Sequence, residues 1–288
     1  KSECVGTVPD DVRVSVLPGS EIDLTNSHHA LKMPDLSTFA GAGYPFTIRP
    51  DLAETVISLP ANADADTVEA YLAVMGRFGD STGTAVTRAM IMRELSGTSL
   101  NRKDILVIGP VEMAGSKALF GKSPVVFQNG RLNVPQRTIT ENALDVIARA
   151  SRDSADKANE TLYAAEHFTG MVAFQSPFEP GRSVVALLAS ETSDLPQMIT
   201  DLDDIDVIAG VQGDLSVVNG DGMTSYAVGD TYWVSDLPWW LSLAYWLSSR
   251  PLLLVIGGVI VALVVAGPVY AVLKRQEARR LNQPESDT

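Results

Sequence analysis

Cysteine is almost absent: the 288-residue chain has one, Cys4. A single thiol cannot form an internal disulfide, so nothing staples this chain covalently. Cys4 is read as a small buried apolar residue, the alternative being a pairing with a cysteine upstream of Lys1. Positive charge is also scarce, with 22 Lys and Arg against 35 Asp and Glu and a formal net charge of −13. That excludes nucleic acid as a partner, because its phosphates would be repelled, and argues against broad adhesion to anionic lipid. The histidines number three. His28 and His29 are neighbours, which on a strand point to opposite faces, and His167 is isolated, so they do not converge on a metal. Lys1–Asp10 holds no apolar run of the signal-peptide kind, and the natural start is expected upstream or processed away. No internal repeat is seen. What the chain does have is 45% hydrophobic residues, which excludes a disordered polymer and supplies core for one large domain or two smaller ones.

The strongest signal lies near the C-terminus. Pro251 to Leu273 is 23 residues without a charge. At a helical rise of ~1.5 Å it spans roughly 34 Å, enough to cross a bilayer core. Lys274, Arg275, Arg279 and Arg280 follow it. Positive charge stays on the cytoplasmic side, so the tail is expected inside and the body outside, in the periplasm of a Gram-negative cell, with the span in the inner membrane. Asp236 to Arg250 (DLPWWLSLAYWLSSR) reads as an amphipathic helix, Asp236 capping it and Pro238 in its first turn. Ser242, Tyr245 and Ser249 share one face, with Leu243, Ala244 and Leu247 opposite. Indole favours the headgroup layer, so Trp239, Trp240 and Trp246 are expected at the membrane interface. Within the span, Gly258, Ala262 and Ala266 form a small-residue stripe that permits close helix packing, and Pro268 is expected to bend the helix there.

Residues 1–50 are rich in Pro, Gly and β-formers and read as the end of an all-β unit with a linker; FAGAGYPFTIRP is expected as a loop. Residues 51–230 alternate strands with helices. Strands are expected at Thr55–Leu59, Val86–Met92, Asp104–Gly109, Pro124–Gln128, Met171–Phe174, Val184–Ala189, Val207–Ala209 and Leu215–Asn219. Helices are expected at Asp66–Phe78, 141–150, Asp153–Glu166 and Asp194–Leu202. In the first helix Asp66 and Glu69 suggest a capping box, and Val68, Tyr71, Leu72 and Met75 the buried face. The alternation predicts an open, doubly wound α/β sheet. Residues 231–250 are then the interfacial helix, 251–273 the transmembrane helix and 274–288 a basic cytoplasmic tail.

Several motifs come close to a known chemistry. Gly79-Asp80-Ser81-Thr82-Gly83 matches a nucleophile elbow, but a helix precedes it and a strand follows, the reverse of the required order; Gly79 is read as a helix C-cap. Pro60–Ala65 holds the place of a flavin phosphate loop, yet it lacks glycine and contains Asp64, which repels phosphate. Gly115 to Ser123 is one residue too long for a P-loop and runs into a strand, so Lys117 and Lys122 are read as solvated charges. Asp201, Asp203, Asp204 and Asp206 read as a solvated helix end rather than a cation site. No catalytic, cofactor or metal residue is assigned.

Glu21 to Pro60 (EIDLTNSHHALKMPDLSTFAGAGYPFTIRPDLAETVISLP) resembles the linker between the second β-domain and the second flavodoxin-like domain of the bacterial cellulose synthase B subunit. The likeness continues through VEAYLAVMGRFGDSTG, DILVIG and YAVGDTYWVSDLPWW into the span. It implies a flavodoxin-like α/β domain that binds no flavin, preceded by the end of a carbohydrate-binding-like β-sandwich. It also implies a non-catalytic, membrane-anchored periplasmic subunit. Its partners would be the catalytic glycosyltransferase subunit, the lipid bilayer and the nascent glucan in transit. The family has been called cyclic di-GMP-binding, although the known receptor module for that nucleotide belongs to the catalytic partner. Two other function classes stay open on the residues alone: a membrane-tethered hydrolase using Ser81 or an acidic pair, and a small-ligand sensor at the sheet's C-terminal edge.

Overall fold

The computed structural model describes residues 19–21, 30–93, 100–135, 152–165, 167–220, 222–235, 238, 240–241 and eight positions between 258 and 274. Cys4, His28, His29, most of the expected all-β unit before Ala30 and the helix expected at 141–150 lie outside them.

In chain order the described elements begin with β1 (Ala30–Met33), α1 (Leu36–Ala42), β2 (Thr55–Ser58), α2 (Ala65–Thr82), β3 (Met90–Met92), β4 (Asp104–Pro110) and α3 (Lys117–Phe120). They continue with β5 (Val126–Gln128), β6 (Arg131–Asn133), α4 (Arg152–Ala164), β7 (Thr169–Gln175) and β8 (Ser183–Ala189). The last are α5 (Asp194–Asp201), α6 (Ile205–Gly210), β9 (Leu215–Asn219), β10 (Gly222–Tyr226) and β11 (Tyr232–Ser235). Seven strands form one sheet in the order β10-β9-β7-β8-β4-β2-β3. β3, β2, β4 and β8 run parallel. β7 is antiparallel to both β8 and β9, and β9 to β10. The sheet is therefore mixed: half follows the expected βα alternation, and half is built from hairpin-like returns.

Burial on both faces explains why β4 and β8 are continuous apolar runs. Leu106 and Ile108 of β4 meet Leu36, Phe39, Val74 and Phe78 on one face. Ile105 and Val107 meet Val111, Leu119 and Phe120 on the other. Phe39, Phe46 and Phe78 close the first layer, Phe46 stacked on Phe78 at 5.7 Å and Phe39 edge-on to both.

Four elements depart from expectation. The capping residue of α2 is Asp64, not Asp66: its Oδ1 accepts from Thr67 N at 2.8 Å. The helix also runs on to Thr82, so Gly79 lies inside it and Gly83, at φ 66°, ends it. Its buried face is Thr67, Ala70, Val74, Met75 and Phe78, leaving Val68 and Leu72 exposed. Small Thr67 and Ala70 let the helix lie close on the sheet, which the bulkier pair would prevent. The expected loop at 39–50 begins inside α1, which Asp35 caps through Ser37 N. The strand expected at Val207–Ala209 is α6, capped by Asp204 through Asp206 N; a short apolar run has no periodicity to separate strand from helix. Val126–Gln128 pairs with Arg131–Asn133 in a separate hairpin rather than joining the large sheet.

Candidate functional site

At the edge where the parallel strands end, a doubly wound sheet offers its ligand crevice. Here the loops that leave β2 and β4 approach each other closely. Gly109, at the end of β4, leaves room for Pro60 and Met113: a Cβ on it would stand 2.7 Å from Met113 Sδ and 3.1 Å from Pro60 Cδ. The N-terminus of α2 would face a phosphate. It is met instead by Asp64, whose Oδ1 takes Thr67 N and whose Oδ2 accepts from Thr192 Oγ1 at 2.5 Å. Those hydrogen bonds, Thr192 foremost and then Thr67, hold the Asp64 carboxyl below the usual carboxylate range.

The elbow-like motif lies in the last turn of α2. Ser81 Oγ donates to Ala42 O at 3.0 Å. It borders an open cavity of about 260 Å³ between α1, α2, α5 and α6, lined by Phe78, Arg77, Asp80 and Asp203 among others, with no histidine among the described lining residues. Arg77 pairs with Asp203 and donates to Ala40 O. The acidic cluster is spent on separate tasks: Asp201 accepts from Gln197, Asp203 holds Arg77 and Asp204 caps α6. Among the described residues no group of three or more His, Cys, Asp or Glu could hold a metal. His167 lies 3.8 Å from Glu191, and Lys117 and Lys122 are exposed.

The opposite edge, where the parallel strands begin, holds the main ionic network among the described residues. Arg182, just ahead of β8, donates to Asp104 Oδ2 at 2.8 Å and to Glu54 Oε2 at 2.6 Å. Asp104 Oδ1 also accepts from Ser183 N at 2.8 Å. Asp104 is 3% exposed, and burial pushes its carboxyl up against the opposing pull of Ser183 N–H and Arg182. Glu54, nearer solvent, is held below its usual value, chiefly by Arg182. Sequence reading missed this network. Its signal was the charged residue standing immediately before or at the start of β2, β4 and β8, which parallel pairing gathers at one edge.

The network reaches the C-terminal part of the chain through Tyr232. β1 and β11 pair antiparallel, Met33 opposite Tyr232 and Lys32 opposite Trp233. The Tyr232 hydroxyl shares a 2.6 Å hydrogen bond with Ser183 Oγ. Desolvation, foremost, raises its pKa and keeps it a neutral phenol. On this ribbon face Met33 is buried and Leu31, Tyr232 and Val234 are half-buried, while Lys32 and Trp233 on the other face are exposed.

Beyond the ribbon, Trp240 is helical and 56% exposed, and Leu241 N donates to Pro238 O at 2.9 Å. Trp239, Trp246, Arg275, Arg279 and Arg280 lie outside the described residues. Gly258, Ala262 and Ala266 are all helical and exposed, as is Lys274. At spacings of four they share one helix face. Among the described residues no helix is long and apolar enough to cross a membrane, and most positions of 251–273 lie outside them.

Residues 29–187 match the family described as "Cellulose synthase BcsB, second FD domain". The chain is 30% identical over 276 residues to "Cellulose synthase 1" of Novacetimonas hansenii, an alignment covering 94% of this chain and 18% of that protein. It is 29% identical over 284 residues to a "Cyclic di-GMP-binding protein" of Komagataeibacter xylinus, covering 97% and 35%. To the "Cyclic di-GMP-binding protein" of Xanthomonas axonopodis pv. citri (strain 306) it is 30% identical over 286 residues, covering 97% and 36%. The chain thus spans only 18% to 36% of the length of these relatives.

Proposed function

Because the chain belongs to the cellulose synthase BcsB family, through its second FD domain, we propose that it is the membrane-proximal part of a non-catalytic accessory subunit of a cellulose synthase complex. The family match carries this reading. Asp64 supports it, since a carboxylate caps the N-terminus of α2, where a nucleotide or flavin phosphate would bind. In this reading the four parallel strands β3, β2, β4 and β8 are the flavodoxin-like half of the domain. Residues 251–273 cross the inner membrane, Trp239, Trp240 and Trp246 hold the preceding helix at the headgroup layer, and Lys274, Arg275, Arg279 and Arg280 fix the tail inside.

The catalytic glycosyltransferase subunit is the partner, met in the membrane through Gly258, Ala262 and Ala266. Between helices already in lipid there is no hydrophobic drive, so close backbone approach must supply the attraction, and small side chains permit it. The body then stands where the nascent glucan leaves the membrane and supports its passage through the periplasm. The test is purification of the complex from inner membranes with mass spectrometry of what stays bound. Recovery of a membrane glycosyltransferase supports the proposal, and its absence from an intact, inserted chain contradicts it. A hydrolase at Ser81 is the weaker reading, because its hydroxyl donates to Ala42 O and the described residues lining the cavity beside it include no histidine base. Covalent labelling of Ser81 by a phosphonate would restore it.

A further inference from the structure

Parallel pairing sends every segment that enters β2, β3, β4 and β8 to one edge of the sheet. Those entries carry Arg49, Arg88, Arg102, Lys103 and Arg182, and the ribbon tied to them by Tyr232 adds Lys32. The acids there are Asp51, Glu54, Asp104, Glu179 and, two residues before Tyr232, the exposed Asp230. Asp104 is buried, while Asp51 and Glu54 are paired with Arg88, Arg49 and Arg182. The exit edge is the reverse: Asp64, Asp66, Glu112, Glu191 and Asp194 stand against Arg93 and Lys117 among the described residues. In a chain of net charge −13, the edge that leads into the C-terminal helices thus carries six bases against five acids, while the opposite edge is strongly acidic. Two large apolar side chains are exposed with it, Ile48 at 52% and Trp233 at 41%.

We infer that this strand-entry edge rests on the bilayer surface and binds anionic phospholipid headgroups. Lys32 and Arg102 face the lipid phosphates, and Trp233 and Ile48 sit at the boundary of water and acyl chain. Two arguments choose lipid as the occupant. The charge is complementary to phosphate while the rest of the chain is acidic, so headgroups would orient the body with this edge down. Continuity is the other: β11 ends at Ser235, and the uncharged run 251–273 starts only 16 residues later, holding the edge close to whatever that run enters. Tryptophan and lysine side by side on the ribbon suit the interface, one ring apolar with a wet N–H, the other a long stem ending in charge. The inference rests on the proposed membrane span.

The experiment uses the full chain in vesicles of phosphatidylcholine, with or without an equal part of phosphatidylglycerol, each doped with a lipid bearing a nitroxide at its headgroup. On a Cys4→Ser background, an environment-sensitive fluorophore is attached at Asn101→Cys on the entry edge or at Glu112→Cys on the exit edge. A second probe is Trp233 itself, with Trp239, Trp240 and Trp246 changed to Phe. Headgroup quenching is expected at Asn101→Cys and at Trp233, several-fold stronger with phosphatidylglycerol and weakened by salt, and absent at Glu112→Cys. Lys32→Glu with Arg102→Glu should remove the phosphatidylglycerol dependence while the chain still floats with the vesicles. Flotation without quenching at the entry edge overturns the inference alone. So does protection of Asn101→Cys that appears only when the catalytic subunit is added, which would make the edge a protein interface. A chain that does not float removes the span, and this inference with it.

Discussion

Replacing Arg182 with Met should destabilise the domain sharply at neutral pH and much less in acid. Arg182 gives one guanidinium nitrogen to Asp104 and another to Glu54. Its loss leaves Asp104, 3% exposed, with the Ser183 N–H as its remaining named donor. Removing one partner of a buried pair typically costs about 3–5 kcal/mol, because the other charge is stranded. Glu54 is nearer water and adds little, so about 3 kcal/mol is expected. For a body of this size, about 2–4 °C of Tm per kcal/mol gives a fall of roughly 6–12 °C.

The pH dependence has a definite sign. Burial already raises the Asp104 carboxyl above its ordinary 3.8, and without Arg182 it rises further. A folded state that holds a proton the unfolded state has released loses stability as pH rises through that window. The deficit against the parent protein is therefore greatest at neutral pH and shrinks as the medium approaches the folded pKa of Asp104. Thermal unfolding of the detergent-solubilised full chain at two pH values measures it. Arg182→Met combined with Asp104→Asn removes the stranded charge and should recover most of the loss. A neutral-pH deficit below about 1 kcal/mol, the range of an exposed pair, or a deficit unchanged in acid, would refute the reasoning.

Asp64→Ala removes the cap of α2 and the tie to Thr192, and should cost about 1 kcal/mol at neutral pH. Since the Asp64 carboxyl is held below its ordinary value, that contribution is full above 3.8 and disappears as pH falls through the folded pKa, so parent and variant should converge in acid; urea unfolding at several pH values reads this. Gly43→Ala should cost about 1–3 kcal/mol. The residue holds φ 71°, and a Cβ would stand 2.7 Å from the Phe78 ring and 2.8 Å from Thr47 Cγ2; an unchanged Tm would contradict that packing.

Much of the sheet was legible in the sequence because its central strands are uniform apolar runs. Asp104–Pro110 and Ser183–Ala189 have the length and β-branching of strands buried on both faces. Their neighbours' directions were not legible. The antiparallel placing of β7 depends on the turn between Gln175 and Ser183, and no periodicity encodes it. α2 was found but rotated: pattern matching favours the largest side chains, whereas contact with the sheet favoured Thr67 and Ala70. Asp64 was flagged as unfit for phosphate, and its own hydrogen bonds show what it does instead. The Arg182 network escaped notice because its members lie 128 residues apart, Glu54 to Arg182, and only the parallel topology brings them together.

The account turns on whether the C-terminal helix docks on a membrane partner. The direct measurement is glucan synthesis in membrane vesicles carrying Gly258→Leu and Ala262→Leu, with the detergent-extracted complex analysed alongside. Leucine keeps the helix apolar and able to insert but blocks close approach of a neighbouring backbone. The account predicts that the catalytic subunit is lost from the complex and synthesis falls with it, while the variant chain stays in the membrane. A complex that remains intact and fully active would show that Gly258, Ala262 and Ala266 are not the docking face.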